Sequence, residues 1–255
     1  MKIKDRLQSL VILTEEELKN YLYSELQRYY SLDSIYLLDG GILVKGNDKI
    51  TLVSHMDIHP IIDNNHKEKK LLSFLNTVYC KTGIGGDDRC GVLVILELLD
   101  RGYRPNIIFT EKEEVGRVGV RKLIDNHYDL LKDITKDSPY LLGLDRKGFN
   151  EVVFYECNNL EFREFIINEY SLELNRGSFS DVSNLGLSLD KAICNVSVCY
   201  YSAHSENEYV NLKKLKLMID KIELMVKDSN NSGSTLRISG LCGCHTMDRA
   251  CAYCV

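Results

Sequence analysis

The chain is of medium length and mildly acidic. It has 255 residues, of which 44% are hydrophobic and 27% charged, and its formal net charge is −5. This length suits a single α/β domain with a sizeable core, and the negative charge argues against a nucleic-acid-binding surface. The first residues do not resemble a signal peptide, and no stretch reaches the about 18 apolar residues that a membrane span needs. We therefore expect a cytoplasmic protein without a membrane or nucleic-acid partner.

The first third of the chain contains a capped helix followed by short strands. Thr14 and Glu17 form a capping box, and leucines at helical spacing follow, so a helix is predicted to about residue 30. Strands separated by turns are predicted at 34–38, 42–45 and 50–54. The last of these is apolar and delivers His55 and Asp57 at its carboxyl end. Residues 61–82 lack a regular pattern and are expected to form a surface loop.

The remainder of the globular part alternates strands with helices. A glycine-rich stretch at 85–91 contains Asp87 and Asp88 and precedes a buried apolar helix over 92–99. Further strands are predicted at 106–110, 140–144, 151–156 and 191–201, and further helices at 118–131, 160–172 and 212–226. This alternation predicts an α/β fold, a three-layer sandwich with a central, mostly parallel mixed sheet and helices on both faces.

Composition divides the chain into three segments. Residues 1–227 are predicted to be globular, 228–239 a flexible polar linker, and 240–255 a cysteine-rich tail. The tail contains five groups able to bind a metal: Cys242, Cys244, His245, Cys251 and Cys254. Their spacing resembles a small zinc knuckle, and the alternative is an unstructured appendage. The other cysteines are expected to be reduced and to pack as small hydrophobic residues.

Metal-competent side chains follow the ends of several predicted strands. In chain order they are His55, Asp57, Asp87, Glu113, Glu114, Asp145 and His204. Each alone is most often a cap or a surface residue. Because ligands of open α/β sheets bind outside the carboxyl ends of the strands, the whole set is expected to meet there. Imidazole and carboxylate together suit zinc or a similar divalent ion.

The glycine-rich loop is the focus of this pattern. Adjacent carboxylates such as Asp87 and Asp88 repel each other unless a cation lies beside them, and glycines let the loop turn sharply. The alternative is a solvated turn that caps the following helix. Asp88 has no expected metal role and is interpreted as a helix cap or a partner of Arg89.

These motifs, in this order, resemble those of the co-catalytic di-zinc metallopeptidases. The matching stretches are His55-Met56-Asp57, Gly86-Asp87-Asp88-Arg89-Cys90-Gly91, Glu113-Glu114-Val115-Gly116, Leu144-Asp145 and Ala203-His204-Ser205. This superfamily contains zinc aminopeptidases, tripeptidases, carboxypeptidases and related amide hydrolases. The gaps from His55 to Asp87 and from Asp145 to His204 are too short for the lid domain of many relatives. We therefore expect a single catalytic domain within residues 1–227.

The resemblance implies a set of metal ligands around two divalent ions, either zinc or else cobalt or manganese. Asp87 bridges the two ions. His55 and Asp145 complete one site, and Glu114 and His204 complete the other. The histidines bind as neutral imidazoles, and the carboxylates offset the charge of the ions.

The resemblance also implies the activity. Glu113 is the general base that activates a water between the ions, and Asp57 orients His55 through its second ring nitrogen. The expected enzyme is a metallopeptidase that cleaves short peptides, most simply as an exopeptidase. Two alternatives remain open: an N-acyl amino-acid amidohydrolase acting on a small amide, and a non-catalytic, metal-stabilised binding module.

Several polar residues outside the expected ligand set are also interpreted from the sequence. Three histidines are interpreted as structural or surface residues: His59, His66 and His127. Arg146 and Lys147 are interpreted as surface charges. Ser180 and Asp181 resemble the loop that lines the substrate cleft in these enzymes, so Asp181 is expected either to contact substrate or to shape the site.

Overall fold

The computed structural model describes residues 2–63 and 66–231. In these ranges the α-helices are α1 (Ile3–Val11), α2 (Glu15–Leu26), α3 (Gly86–Asp100), α4 (Val118–Thr135), α5 (Leu160–Glu169), α6 (Asp181–Leu189) and α7 (Leu212–Asn231). The strands are β1 (Ile35–Leu38), β2 (Gly41–Val44), β3 (Thr51–His55), β4 (Leu72–Phe74), β5 (Thr77–Tyr79), β6 (Asn106–Thr110), β7 (Tyr140–Arg146), β8 (Glu151–Val153), β9 (Glu173–Leu174), β10 (Ala192–Ser197), β11 (Tyr200–Tyr201) and β12 (Tyr209–Asn211).

A mixed sheet forms the middle layer of the molecule. Its eight strands lie in the order β1-β2-β6-β3-β7-β10-β8-β9. The central strands β6, β3, β7 and β10 are parallel, whereas β1 with β2, β2 with β6, and β8 with β10 pair antiparallel. Helices α1, α3 and α7 pack on one face, and α4 and α6 on the other. This architecture confirms the predicted three-layer α/β sandwich.

The parallel strands of the centre end at one edge of the sheet. Every residue of β3 and β6 is buried, as is typical of parallel strands covered on both faces. His55 at the end of β3 is in register with Thr110 at the end of β6. Val53 pairs with Gly143 of β7. The segments that follow these three strands therefore leave the sheet side by side.

Helix α3 is the central buried helix, and it begins at a tight turn. Its residues from 86 to 96 are all buried, including the charged residues of its first turn and the apolar residues from Val92 to Leu96. Gly85 precedes it with a φ of 72°, a left-handed conformation that glycine adopts without strain. A Cβ atom at Gly85 would lie 2.6 Å from the Ile58 side chain. The turn before α3 thus requires glycine for its conformation, and a side chain there would also displace that of Ile58.

Several elements differ from the sequence expectation. Residues 61–82 are not only a loop, since β4 and β5 join β12 and β11 in a four-stranded antiparallel sheet. Helices α1 and α6 were not predicted. Helix α7 continues through Asn231 and so includes residues 228–231, which were assigned to the linker. The rest of the predicted linker and the whole cysteine-rich tail lie outside the described residues.

Two sequence expectations concern the chain as a whole. The cysteines of the described residues are buried and free, in agreement with their interpretation as small hydrophobic side chains. None of the helices in the described ranges combines the length and the apolar character needed to cross a bilayer.

Candidate metal centre

Side chains predicted as metal ligands meet at the carboxyl edge of the parallel strands. His55 is the last residue of β3, Asp145 lies near the end of β7, and Glu114 belongs to the turn after β6. Asp87 lies in the first turn of α3, and His204 in the loop between β11 and β12. The structure therefore brings together all five residues from separate parts of the sequence.

Asp87 lies between the two histidines. Its Oδ1 is 3.2 Å from Nε2 of His55, and its Oδ2 is 3.2 Å from Nε2 of His204. The same nitrogen of His55 is 3.6 Å from Oδ1 of Asp145, and that of His204 is 2.9 Å from Oε1 of Glu114. The result is two groups of donors, each with one histidine and one further carboxylate, that share Asp87 through its two oxygens.

The spacing of these donors fits divalent ions. Two ligands that each lie about 2 Å from a tetrahedral ion are about 3.3 Å from one another. The four separations between these donors lie on either side of that value, from 2.9 to 3.6 Å. In addition, Oε1 of Glu114 is buried without a hydrogen-bond partner, although Nε2 of His204 is close by. A cation bound at this position would satisfy this buried acceptor.

Three carboxylates surround His55 and favour a positive charge at its ring. Nδ1 of His55 lies 3.0 Å from Oδ1 of Asp57, so the neutral ring carries its proton there and presents the lone pair of Nε2 to Asp87 and Asp145. Burial alone would lower the pKa of His55, but these three carboxylates raise it well above its usual value. A metal ion bound at Nε2 would also offset the charge of these carboxylates, and it would leave the imidazole neutral.

Asp57 links two of the segments that carry the site. Besides contacting His55, it accepts hydrogen bonds from the backbone N–H groups of Glu113 and Glu114, both at 3.0 Å. The end of β3 and the turn after β6 are thereby held at a fixed distance. Asp57 thus positions both His55 and the pair of glutamates, as expected of an orienting residue.

Asp145 is held by Ser180, from the loop expected to line the substrate cleft, and by two side chains that the sequence did not single out, Tyr200 and Asn195. The Ser180 hydroxyl donates to its Oδ2 at 2.9 Å, and the Tyr200 hydroxyl donates to its Oδ1 at 3.2 Å. Asn195 of β10 bonds both the N–H and the carbonyl of Asp145, each at 2.9 Å. These contacts fix the backbone and the carboxylate together, so Asp145 presents its oxygens in one orientation.

Asp88 holds the start of α3 against the end of β3 through hydrogen bonds. Its Oδ1 accepts from the Gly91 N–H at 2.9 Å, and its Oδ2 accepts from the Ser54 hydroxyl and from the His55 N–H. Although an oxygen of Asp88 lies near His55, both of its oxygens are already engaged. The structure agrees with the cap interpretation, whereas Arg89 donates to the Leu13 carbonyl instead.

Glu208 supports the glycine-rich loop and was missed by sequence reasoning. This fully buried carboxylate accepts from the N–H groups of Gly85 at 2.8 Å and of Asp87 at 3.0 Å. Glu208 lies in the same loop as His204, so one loop both carries this histidine and holds the backbone of Asp87. Its surroundings, Ser-Glu-Asn-Glu, have the composition of an exposed turn and gave no signal of burial.

Replacing Glu208 with alanine is expected to weaken both the fold and metal binding. Two buried N–H donors would lose their acceptor, at a cost of about 1–3 kcal/mol for each unsatisfied group. Urea unfolding and metal content after dialysis measure the two effects. Glu206→Ala removes an exposed glutamate of the same loop and should change stability by less than about 0.5 kcal/mol. Equal effects of the two changes would show that Glu208 does not hold the loop.

An open cavity of about 470 Å³ is lined in part by Asp87, Glu114, Asp145 and His204. Three cationic side chains line the walls of this cavity: Arg117, Arg146 and Lys147. The interpretation of Arg146 and Lys147 as mere surface charges was therefore incomplete. Tyr155 and Phe179 add aromatic surface. A cavity of this size suits a small ligand.

Glu113 lines the same cavity together with Asp87 and Glu114. Burial raises its pKa to about 9; Asp145 adds to this rise, and His55 opposes it. Cations bound next to it would lower this pKa again. A carboxylate in this position can accept a proton from a group bound in the cavity.

His59 lies closer to the site than the sequence indicated. Its ring stacks on that of His204 with 4.2 Å between centroids, and both have a nitrogen near Glu114. Nδ1 of His59 accepts from the Ile61 N–H at 3.3 Å, which leaves the proton of the neutral ring on Nε2. His59 is therefore better suited to support His204 as a stacked ring than to bind a metal.

Asp181 does not line the cavity, although it lies close enough to Glu113 and His55 to influence their charge. Asp181 is buried at the start of α6, and its Oδ2 accepts from the Thr110 hydroxyl at the end of β6. Burial raises its pKa to about 7, against the effect of the Thr110 bond. These contacts favour a role in shaping the site. His66 contacts Asp63, and His127 lies at an irregular position within α4.

The sequence matches no protein-family model and no curated protein. Among solved structures, a tripeptidase from Staphylococcus aureus subsp. aureus Mu50 matches with 11% identity and a TM-score of 0.68, over 90% of this chain and 98% of that chain. An aminopeptidase from Desulfurococcus kamchatkensis matches with 13% identity and a TM-score of 0.64, over 93% and 99%. An endoglucanase from Thermotoga maritima matches with 12% identity and a TM-score of 0.57, over 88% and 97%.

At these identities the similarity establishes the fold, and proteins named for different substrates share it. The alignments cover nearly the whole of the described chain. The fold expected from the motif resemblance is thus confirmed. Within its described residues, this chain has the α/β fold of these aminopeptidases and tripeptidases, without a separate lid domain.

Proposed function

We propose that this protein is a two-metal hydrolase that cleaves short peptides, as an exopeptidase. One observation carries the proposal: the two oxygens of Asp87 face the nitrogens of His55 and His204, and each histidine has a second carboxylate beside it. Such a shared carboxylate suits two divalent ions held close together. The fold that the chain shares with an aminopeptidase and a tripeptidase supports the same reaction class.

Each ion would have its own ligands in addition to Asp87. His55 and Asp145 would hold one ion, and Glu114 and His204 the other. Nitrogen and oxygen donors of this kind suit zinc, with cobalt and manganese as alternatives. When bound, such a pair of ions polarises a substrate carbonyl and lowers the pKa of a water molecule.

The protein side chains perform the proton transfers and the positioning. Glu113 accepts the proton of the attacking water and passes it to the leaving amine. Glu114, the next residue, turns instead towards His204, so the two glutamates have separate tasks. Asp57 fixes the turn that carries both and keeps the proton of His55 on Nδ1. The lone pair of Nε2 therefore remains available.

The cellular setting and the tail extend this proposal. We place the protein in the cytoplasm, where buried free thiols such as those of its described cysteines persist.

Residues 1–227 would form the complete catalytic domain, with the tail at 240–255 not required for turnover. A chain ending at residue 231 should then match the full-length rate. Loss of activity on this truncation would assign the tail a catalytic or stabilising role.

A substrate panel tests the proposed reaction. The metal-replete protein should release single residues from di- and tripeptides with a free amino terminus, and should cleave N-acyl amino acids more slowly. Mass spectrometry of the products identifies the bond that is cut. Preference for N-acyl amino acids would support the amidohydrolase alternative. Turnover of neither class with both ions bound would support a metal-stabilised binding module.

A further inference from the structure

We propose that Arg117 binds the C-terminal carboxylate of the substrate, which restricts the enzyme to short peptides with a free carboxyl end. This inference rests on the proposed peptidase function and adds the substrate class and the residue that selects it. The argument starts from the charges on the wall of the cavity. Three cations line that wall, and they differ in whether a carboxylate of the protein neutralises them.

Arg146 already has an acidic partner. Its Nε and Nη2 lie 3.2 and 3.1 Å from Oε2 of Glu151. Arg117 and Lys147 have no ion pair with any aspartate or glutamate of residues 2–63 and 66–231. An uncompensated cation on the wall of a binding cavity attracts an anionic group of the ligand. The cavity therefore has two candidates for anion recognition.

The side chain of Arg117 is held in place by its neighbours, whereas that of Lys147 is not. Its Nη1 donates to Oδ1 of Asn184 at 2.8 Å, and its guanidinium carbon lies 4.3 Å from the centre of the Phe179 ring. These contacts hold the plane of the guanidinium, whereas Lys147 is exposed. In addition, Nε of Arg117 is buried and has no hydrogen-bond partner. A fixed guanidinium with unused donors matches the geometry of a carboxylate.

The position of Arg117 limits the length of the substrate. Its backbone N–H donates to the Glu113 carbonyl at 2.8 Å, so it belongs to the same turn as the proposed base. A carboxylate bound by Arg117 must therefore come from a residue close to the bond being cleaved. Di- and tripeptides meet this condition through their C-termini. An acidic side chain offers the same chemistry, and the experiment separates the two sources.

Peptide acids and amides provide the test. Wild-type protein should cleave Leu-Gly-Gly with a kcat/KM about 10- to 100-fold above that for Leu-Gly-Gly-amide, mainly through a lower KM. Arg117→Gln should bring this acid-to-amide ratio close to one, and Arg117→Lys should restore part of it. Arg121→Gln, which changes an exposed arginine in the helix that follows Arg117, should keep the wild-type ratio. Leu-Asp-amide should behave as an amide if the terminal carboxylate is the one recognised.

Binding of an uncleavable analogue makes the test independent of turnover. A dipeptide with a reduced peptide bond, as the free acid and as the amide, can be titrated into the metal-loaded wild-type protein. Tighter binding of the acid, lost in Arg117→Gln, supports the carboxylate subsite even if no peptide is hydrolysed. Equal binding of acid and amide by the wild type, or an acid preference retained by Arg117→Gln, would overturn it. Preference for Leu-Asp-amide over Leu-Gly-amide would overturn the assignment to the C-terminus.

Discussion

Glu113→Gln is expected to lower peptide cleavage by about 10²- to 10⁴-fold while the protein keeps its full complement of metal. Glutamine has almost the same size as glutamate but does not accept a proton from water. The Glu113 side chain lines the cavity, yet it is not part of the described histidine and carboxylate groups with ligand spacing. Steady-state kinetics together with metal analysis of the same preparation measure both effects.

The neighbouring glutamate provides the matched control. Glu114→Gln makes the same chemical change one residue later, at a side chain whose Oε1 lies 2.9 Å from Nε2 of His204. This variant should lose activity together with metal. If metal-replete Glu113→Gln kept full activity, or if both variants lost metal equally, the roles of the two glutamates would have to be reassigned.

Asp87→Asn should release both ions together, because each of the two donor groups depends on one oxygen of this carboxylate. Asparagine offers a single oxygen, and its neutral amide no longer offsets the charge of the ions. Metal content after dialysis should fall towards zero at both sites, and peptide cleavage should fall with it. Loss of one ion only would show that Asp87 does not bridge them.

Asp88→Asn is the control for this change and should act on stability instead. Asp88 is fully buried and accepts bonds from Ser54, His55 and Gly91. An amide nitrogen facing these donors should cost about 1–3 kcal/mol in the free energy of unfolding. Metal content should remain close to that of the wild type. Equal metal loss in the two variants would mean that the wrong carboxylate was assigned to the ions.

The convergence of the candidate ligands could be predicted because it follows from the sheet. His55, Glu114 and Asp145 lie at or just after the ends of apolar strands, and parallel strands bring their carboxyl ends to one edge. His55 and Asp145 needed only the strand positions to be placed together. Asp87 needed the glycines before it, whose conformations allow the tight turn into α3.

The supporting residues could not be predicted because their partners are distant in sequence. Glu208 bonds a loop more than a hundred residues earlier, and nothing beside it in the chain indicates burial. Asn195 and Tyr200 lie in strand-like segments in which polar side chains usually face solvent. Helix α6 was missed because the side chain at its third position is Ser183 rather than the glutamate or glutamine of a capping box.

The most direct test of the two-metal site is the number of divalent ions bound per chain, measured on the purified wild-type protein together with peptide cleavage. The site around Asp87 predicts about two ions, loss of cleavage on chelation, and recovery on adding back about two equivalents of zinc, cobalt or manganese. Full cleavage by the ion-free protein, or a single ion that suffices for full activity, would contradict the proposed site.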